Sequence, residues 1–211
     1  MRKESKIDML QFEKMFSQKG HTLIAGVDEV GRGCLAGPVV AAAVVFPAGF
    51  DAIEINDSKQ LTPFKRDEAF EIIIKNALSY AAYSIPVSTI DRINILKASL
   101  AAMMGAINRL SPEPEFILID GNRAPEKLMI PFKCIVKGDQ KSRSVAAASI
   151  VAKVIRDRLM TKLDKLYPEY KFKSNKGYGT AAHLTALNKI GPTPHHRYSF
   201  SPVRQLAFKF E

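Results

Sequence analysis

The run Ala25-Gly26-Val27-Asp28-Glu29-Val30-Gly31-Arg32-Gly33-Cys34-Leu35-Ala36-Gly37-Pro38, continuing into Val39-Val40-Ala41-Ala42-Ala43-Val44-Val45-Phe46, decides how the chain folds. His21 to Glu29 and Pro38 to Phe46 read as two strands, rich in small and β-branched apolar residues, around a loop punctuated by glycine. Gly31-x-Gly33-x-x-Ala36 satisfies a loose dinucleotide-binding fingerprint, but such a loop should open a helix, and here a second strand follows. Two acids just before the loop would also repel a pyrophosphate. The loop reads instead as a hairpin connection whose glycines let backbone come close to a nucleic-acid strand, or more simply as a tight turn with Arg32 in solvent.

Outward from this hairpin the chain alternates. Residues 7–19 place Met9, Phe12 and Phe16 on one helical face that ends at Gly20. Thr62-Pro63 is an N-cap and N1 pair opening a helix to about Leu78. Tyr80 to Pro86 is a third strand, and one helical stretch runs from about Ser88 to Leu110. Glu115 to Asp120 and Phe132 to Lys137 are further strands, followed by a long helix from about Ser142 to Leu166 and another from Thr180 to Ile190, closed by Gly191. Three early strands and later strand–helix alternation predict an α/β fold, a mixed sheet with helices on both faces. We expect an N-terminal extension over residues 1–20 and one domain over 21–211, because 211 residues with 46% hydrophobic content support one substantial core.

No apolar run approaches the ~20 residues of a membrane span. A charged N-terminus without an apolar signal core points to a soluble cytoplasmic protein, with no membrane partner. Cys34 and Cys134 have no partner at CxxC or zinc-ligand spacing and read as small buried or half-buried apolar residues. The net charge of +10 is uneven. Residues 1–121 hold 13 Lys+Arg against 15 Asp+Glu, net −2, and residues 122–211 hold 18 against 6, net +12. A solvated basic surface would account for this, yet a strongly basic half is also what a phosphate backbone selects, so nucleic acid is the expected partner. Lys141, Arg143, Lys171, Lys173 and Lys176 are candidates for phosphate contacts.

Several acids close strands. Asp28 and Glu29 end the first, Asp120 follows Phe116-Ile117-Leu118-Ile119, and Asp139 comes just after Lys137-Gly138. Ligands bind at the carboxyl ends of strands in open α/β sheets, so these acids can converge on one site. Two like charges 4 Å apart repel by roughly 4 kcal/mol at an effective dielectric of about 20, so a carboxylate cluster needs a cation, and hard oxygen donors suit Mg²⁺ or Mn²⁺. Spacing alone leaves each acid open to another reading. A lone Asp at a strand end is often a turn former or cap, as Asp139 would be before a helix. Asp28 and Glu29 point to opposite faces unless the strand ends or bulges between them. His183, His195 and His196 read as structural or phosphate-binding and stay outside the catalytic set.

Six ordered motifs resemble the ribonuclease HII family along nearly the whole chain: Ala25 to Gly33, Leu35 to Val44, Asn56-Asp57-Ser58-Lys59-Gln60-Leu61, Ile119-Asp120-Gly121-Asn122, Val136-Lys137-Gly138-Asp139 with Ala146 to Lys153, and Lys176-Gly177-Tyr178-Gly179-Thr180 with His196-Arg197-x-Ser199-Phe200. The resemblance implies an RNase H-like fold, a five-stranded mixed sheet flanked by helices with a C-terminal helical region. It implies Asp28, Glu29, Asp120 and Asp139 as catalytic metal ligands for Mg²⁺ or Mn²⁺. It also implies that Gly31, Arg32, Gly33 and Tyr178 sense a ribonucleotide, and that Lys59 helps hold the backbone. The partners implied are RNA/DNA hybrids and duplex DNA containing ribonucleotides, cut by a monomer. Cys34 departs from a position where the family often has proline, which loosens the loop but removes no ligand. Two rivals stand beside this expectation. A non-catalytic hybrid-binding module would have lost a carboxylate, and a DNA-only nuclease of the same fold would lack the Gly31-Arg32-Gly33 and Tyr178 sensor.

Overall fold

The computed structural model describes residues 8–52, 54–55, 58 and 61–207. A single five-stranded sheet is laid out in the order β3-β2-β1-β4-β5, from β1 (Ile24–Val30), β2 (Val39–Val45), β3 (Ser79–Ile85), β4 (Phe116–Asp120) and β5 (Phe132–Ile135). β1, β2 and β3 pair antiparallel, whereas β4 and β5 run parallel to β1, so the sheet is mixed as expected. The Gly31–Gly37 segment is indeed the hairpin connection.

Strand alternation sorts β2 between two cores. Val39, Ala41, Ala43 and Val45 face α3 (Val87–Ile93) and α4 (Ile95–Ile107), packing with Ile90, Ala98, Ala102, Met103 and Ala106. Val40, Ala42 and Val44 face α2 (Pro63–Asn76) and α5 (Arg143–Leu166), packing with Phe70, Ile73, Ala147 and Ile150. The small residues of β1 and β2 let α5 lie close to the sheet. A Cβ at Gly26 would overlap the backbone of Ser144, so glycine is required where helix and strand touch.

The capping signal read at Thr62 holds: its Oγ1 accepts from the Lys65 N–H and opens α2. Ser142 Oγ accepts from the Val145 N–H in the same way and opens α5. The predicted helix over Ser88–Leu110 is two helices. Asn94 takes φ 68° and ends α3, then its side chain accepts from the Lys97 N–H and starts α4. An Asn tolerates this left-handed backbone and serves as an N-cap, so one residue breaks a run that is continuous in hydrophobicity. β5 is shorter than predicted, because Lys137 at φ 58° turns the chain into a 3₁₀ turn over Gly138–Gln140.

Beyond α5 lie a 3₁₀ turn (Pro168–Tyr170), α6 (Phe172–Asn175), α7 (Ala181–Ile190) and α8 (Ser201–Ala207). They form a small core of their own, in which Leu35 and Ala36 of the hairpin loop meet Met160, Tyr170, Phe172, Leu187 and Val203. A short bridge pairs Ala36 with His196. The C-terminal region therefore holds one side of the glycine loop. No described helix is long and apolar enough to cross a membrane.

Candidate active site

β1 carries Asp28 and Glu29 at its carboxyl end, and β4 carries Asp120 beside them through the parallel β1–β4 ladder. The β1–β2 register runs evenly through Asp28↔Ala42 and Glu29↔Ala41, with no bulge. The two acids therefore leave opposite faces of the sheet, as strand alternation requires. Asp28 points toward α5, is 6% exposed, and engages the Ser149 hydroxyl. Glu29 lines a cleft of about 320 Å³ together with Arg32, Ser99, Met103, Asp120 and Asn122. Being the last residue of β4, Asp120 is near both: burial and then the charges of Glu29 and Asp120 push the Asp28 carboxyl well above the usual carboxylate range. Glu29 is also raised by burial, while Arg32, whose Nη1 donates to Glu29 Oε1 at 3.0 Å, pulls the other way.

Asp139 lies on the 3₁₀ turn and is 2% exposed. That turn is tied to the acidic cluster, since the Gly138 N–H donates to Asp120 Oδ1 at 2.6 Å. Among the described residues no three His, Cys, Asp or Glu donors are gathered closely enough to form a ready-made metal site. The donor chemistry nonetheless fits a hard divalent cation, because the group is all oxygen and Asp28, Glu29 and Asp120 repel one another. A second hollow, between α1 (Gln11–Ser17) and Phe46–Phe50, lies at the other end of β1 and contains none of these acids.

Gly31, Arg32, Gly33 and Tyr178 come together. Leu35 and Ala36 donate their N–H groups to Gly177 O at 2.8 and 3.3 Å, so the Tyr178 loop is docked on the hairpin loop. The Tyr178 ring is 44% exposed, and its hydroxyl lies against the buried Cys34 thiol; burial and then that thiol raise its pKa. Packing also requires Gly31 to lack a side chain. At φ +94°, a Cβ would overlap Arg156 Nε beneath the loop, whereas Gly33 faces open space.

Lys59 lies outside the described residues. Its neighbour Ser58 is described and bonds Ser149 Oγ at 2.9 Å, the hydroxyl that engages Asp28. Arg143 is not a surface cation. It is 7% exposed, pairs with Asp51 at 2.7 Å and bonds the Ile55 carbonyl, so it organises the chain after β2. Lys171 and Lys173 are exposed as expected, and Lys176 is half-buried. Among the histidines, His183 and His196 are fully buried and joined Nε2 to Nε2 at 2.9 Å, a structural pair. Sequence reasoning passed over Ser149 and Arg156. Their signal was a polar residue on the face of α5 that is otherwise Ala, Ile and Val.

A family model described as Ribonuclease HII matches residues 25–203. The chain belongs to the ribonuclease HII family. It is therefore a ribonuclease of the RNase H type, and the matched span includes every site residue named above. A ribonuclease HII of Listeria monocytogenes is 52% identical over 204 residues, covering 97% of this chain and 77% of the relative. One of Geotalea daltonii is 52% identical over 198 residues, 93% of this chain and 91% of the relative. The crystal structure of the ribonuclease H2 from Pyrococcus horikoshii superposes with TM-score 0.74 at 29% identity, covering 89% of this chain and 98% of that one. A ribonuclease HIII in complex with Mn²⁺ superposes with TM-score 0.72 at 22% identity, over 92% and 71%, and shares the fold.

Proposed function

We propose that this ribonuclease hydrolyses the RNA strand of RNA/DNA hybrids and cuts duplex DNA on the 5′ side of single embedded ribonucleotides. The observation that carries the reading is the meeting of a mutually repelling acid cluster, Asp28, Glu29 and Asp120, with a glycine loop on which Tyr178 is docked. Asp28, Glu29, Asp120 and Asp139 would hold two Mg²⁺ or Mn²⁺ ions, which when bound acidify a water and stabilise the leaving oxygen. The Mn²⁺ complex of a ribonuclease HIII with this fold supports that choice of metal.

The remaining work falls to the chain itself. Ser149 and the Glu29 N–H, which donates to Asp28 Oδ1 at 2.7 Å, keep the Asp28 carboxylate oriented. The Gly138 N–H does the same for Asp120. At a single embedded ribonucleotide the 2′-hydroxyl is the distinguishing group, and it both donates and accepts. Gly31, Arg32 and Gly33 offer backbone groups beside it, the exposed ring of Tyr178 packs against the neighbouring sugar, and Lys59 holds the phosphate backbone. Lys171 and Lys173 contact phosphates without reading sequence. Hydrolysis leaves a 5′-phosphate on the ribonucleotide and a 3′-hydroxyl upstream.

The test is cleavage of a duplex with one ribonucleotide beside the all-DNA duplex, with Mg²⁺, with Mn²⁺ and with EDTA. One cut 5′ of the ribonucleotide, abolished by EDTA and by Asp120→Asn, is expected. Equal cutting of both duplexes, cutting in EDTA, or an Asp120→Asn variant at wild-type rate would overturn the proposal.

A further inference from the structure

Two buried arginines have no place in the chemistry above. Arg156 on α5 and Arg197 before α8 are both 0% exposed. Among the described residues neither has a carboxylate at ion-pair distance, an arrangement that is costly unless every donor is satisfied. Their donors go to backbone carbonyls. Arg156 gives Nε to Pro38 O (2.9 Å), Nη1 to Lys176 O (2.8 Å) and Nη2 to Ala36 O (3.1 Å). Arg197 gives Nε to Gly37 O (3.1 Å), Nη1 to Arg32 O (2.8 Å), and Nη2 to Gly31 O (2.7 Å) and Gly37 O (2.9 Å).

The two guanidiniums thus collect carbonyls at both ends of the hairpin loop and one from the loop that carries Tyr178. Only a planar fork of five donors can do this, so lysine is no substitute. The polarity of the loop follows. In a trans peptide the N–H points opposite to the preceding carbonyl. With the Gly31 and Arg32 carbonyls turned in to Arg197, the N–H groups of Arg32 and Gly33 are turned away from it. No described residue accepts from the Gly33 N–H, and the space beside Gly33 is open. Successive N–H groups facing one way form a concavity suited to an anion or a hydroxyl oxygen.

We propose that Arg156 and Arg197 are positioning residues for ribonucleotide selection, holding the glycine loop with its Arg32 and Gly33 N–H groups turned outward and locking it against the Tyr178 loop. The clamp rests on the sensor reading given under the proposed function. It also accounts for Gly31, which must lack a Cβ because Arg156 passes beneath it.

A double-mutant cycle tests it. Arg156→Lys and Arg197→Lys are made singly in wild-type and Tyr178→Ala backgrounds, and kcat and KM are measured on the single-ribonucleotide duplex with Mg²⁺, well below the Tm of each protein. Each Lys variant should lose about ten- to a hundredfold in kcat with KM nearly unchanged, since a displaced sensor misaligns the substrate rather than releasing it. In the Tyr178→Ala background Arg156→Lys should cost less than about threefold more, because the two residues act through one loop contact. If Tyr178→Ala alone keeps wild-type kcat, the sensor reading fails and the clamp falls with it. If Tyr178→Ala is slow and Arg156→Lys slows it by its full factor again, only the positioning role is overturned. Should the Lys variants not fold, Gly177→Ala decides: its Cβ would overlap Ala36 O and part the two loops with both guanidiniums in place. Loss of kcat in that variant supports the clamp, and wild-type kcat overturns it.

Discussion

Replacing Asp28 with Asn should stabilise the metal-free protein while removing its activity. The side chain is 6% exposed, and its charge is disfavoured first by burial and then by Glu29 and Asp120. Two unit charges at 4 Å and an effective dielectric of about 20 repel by roughly 4 kcal/mol. Glu29 and Asp120 border a cleft, so solvent screens part of that, and a net relief of about 1–2 kcal/mol is reasonable. Asn keeps the local geometry: its oxygen accepts from the Glu29 N–H as Asp28 Oδ1 does, and its amide can donate to Ser149. For a chain of this length that relief corresponds to a Tm higher by about 2–8 °C in EDTA. Wild-type protein should gain stability from added Mn²⁺ by mass action, and the Asp28→Asn variant should gain much less, so the order of the two Tm values narrows or reverses. Thermal melts with EDTA and with a Mn²⁺ series, beside cleavage assays on the same preparations, read all of this. An Asp28→Asn protein that melts below wild type in EDTA, or gains as much from Mn²⁺, would refute the view that Asp28 is a strained metal ligand.

Lys173→Ala should lower the slope of log affinity against log salt by about one unit for any duplex sequence, because the side chain is exposed beside the Tyr178 loop; filter binding or anisotropy across salt checks it, and an unchanged slope places the duplex elsewhere. Stability should fall on acidification through the His183–His196 pair. Burial, then His183, lowers His196 to about 3, so between roughly pH 6.5 and 3 the unfolded chain binds a proton that the folded one refuses. The contribution is full above pH 6.5 and is lost as pH falls, with a slope of up to about 1.4 kcal/mol per unit. Urea unfolding from pH 7.5 to 4.5 should show a flatter dependence for His196→Asn, and parallel curves would remove the pair from this role.

The hairpin around Gly31–Gly37, the mixed sheet and the strand-end positions of Asp28, Glu29 and Asp120 were legible because each rests on local pattern: β-branched runs, turn glycines, and acids where an apolar run stops. The side of the molecule on which a charged residue ends was not legible, because burial of charge is decided by partners distant in sequence. Arg143 reads as a phosphate contact from its position in a basic half, yet Asp51 and the Ile55 carbonyl draw it inward. Arg156 and Arg197 are drawn inward by carbonyls of a loop about 120 and 160 residues earlier. The packing demand on Gly31, clearance for Arg156, was equally out of reach of local pattern. The same error runs through the charge count. Of the 18 cations in residues 122–211, Arg143, Arg156 and Arg197 are buried, so they cannot release counterions from a phosphate backbone by direct contact. The salt dependence of binding should therefore report the exposed lysines around α6, while substitution of Arg156 or Arg197 should change the rate of cleavage, so the two kinds of cation should separate in binding and turnover experiments.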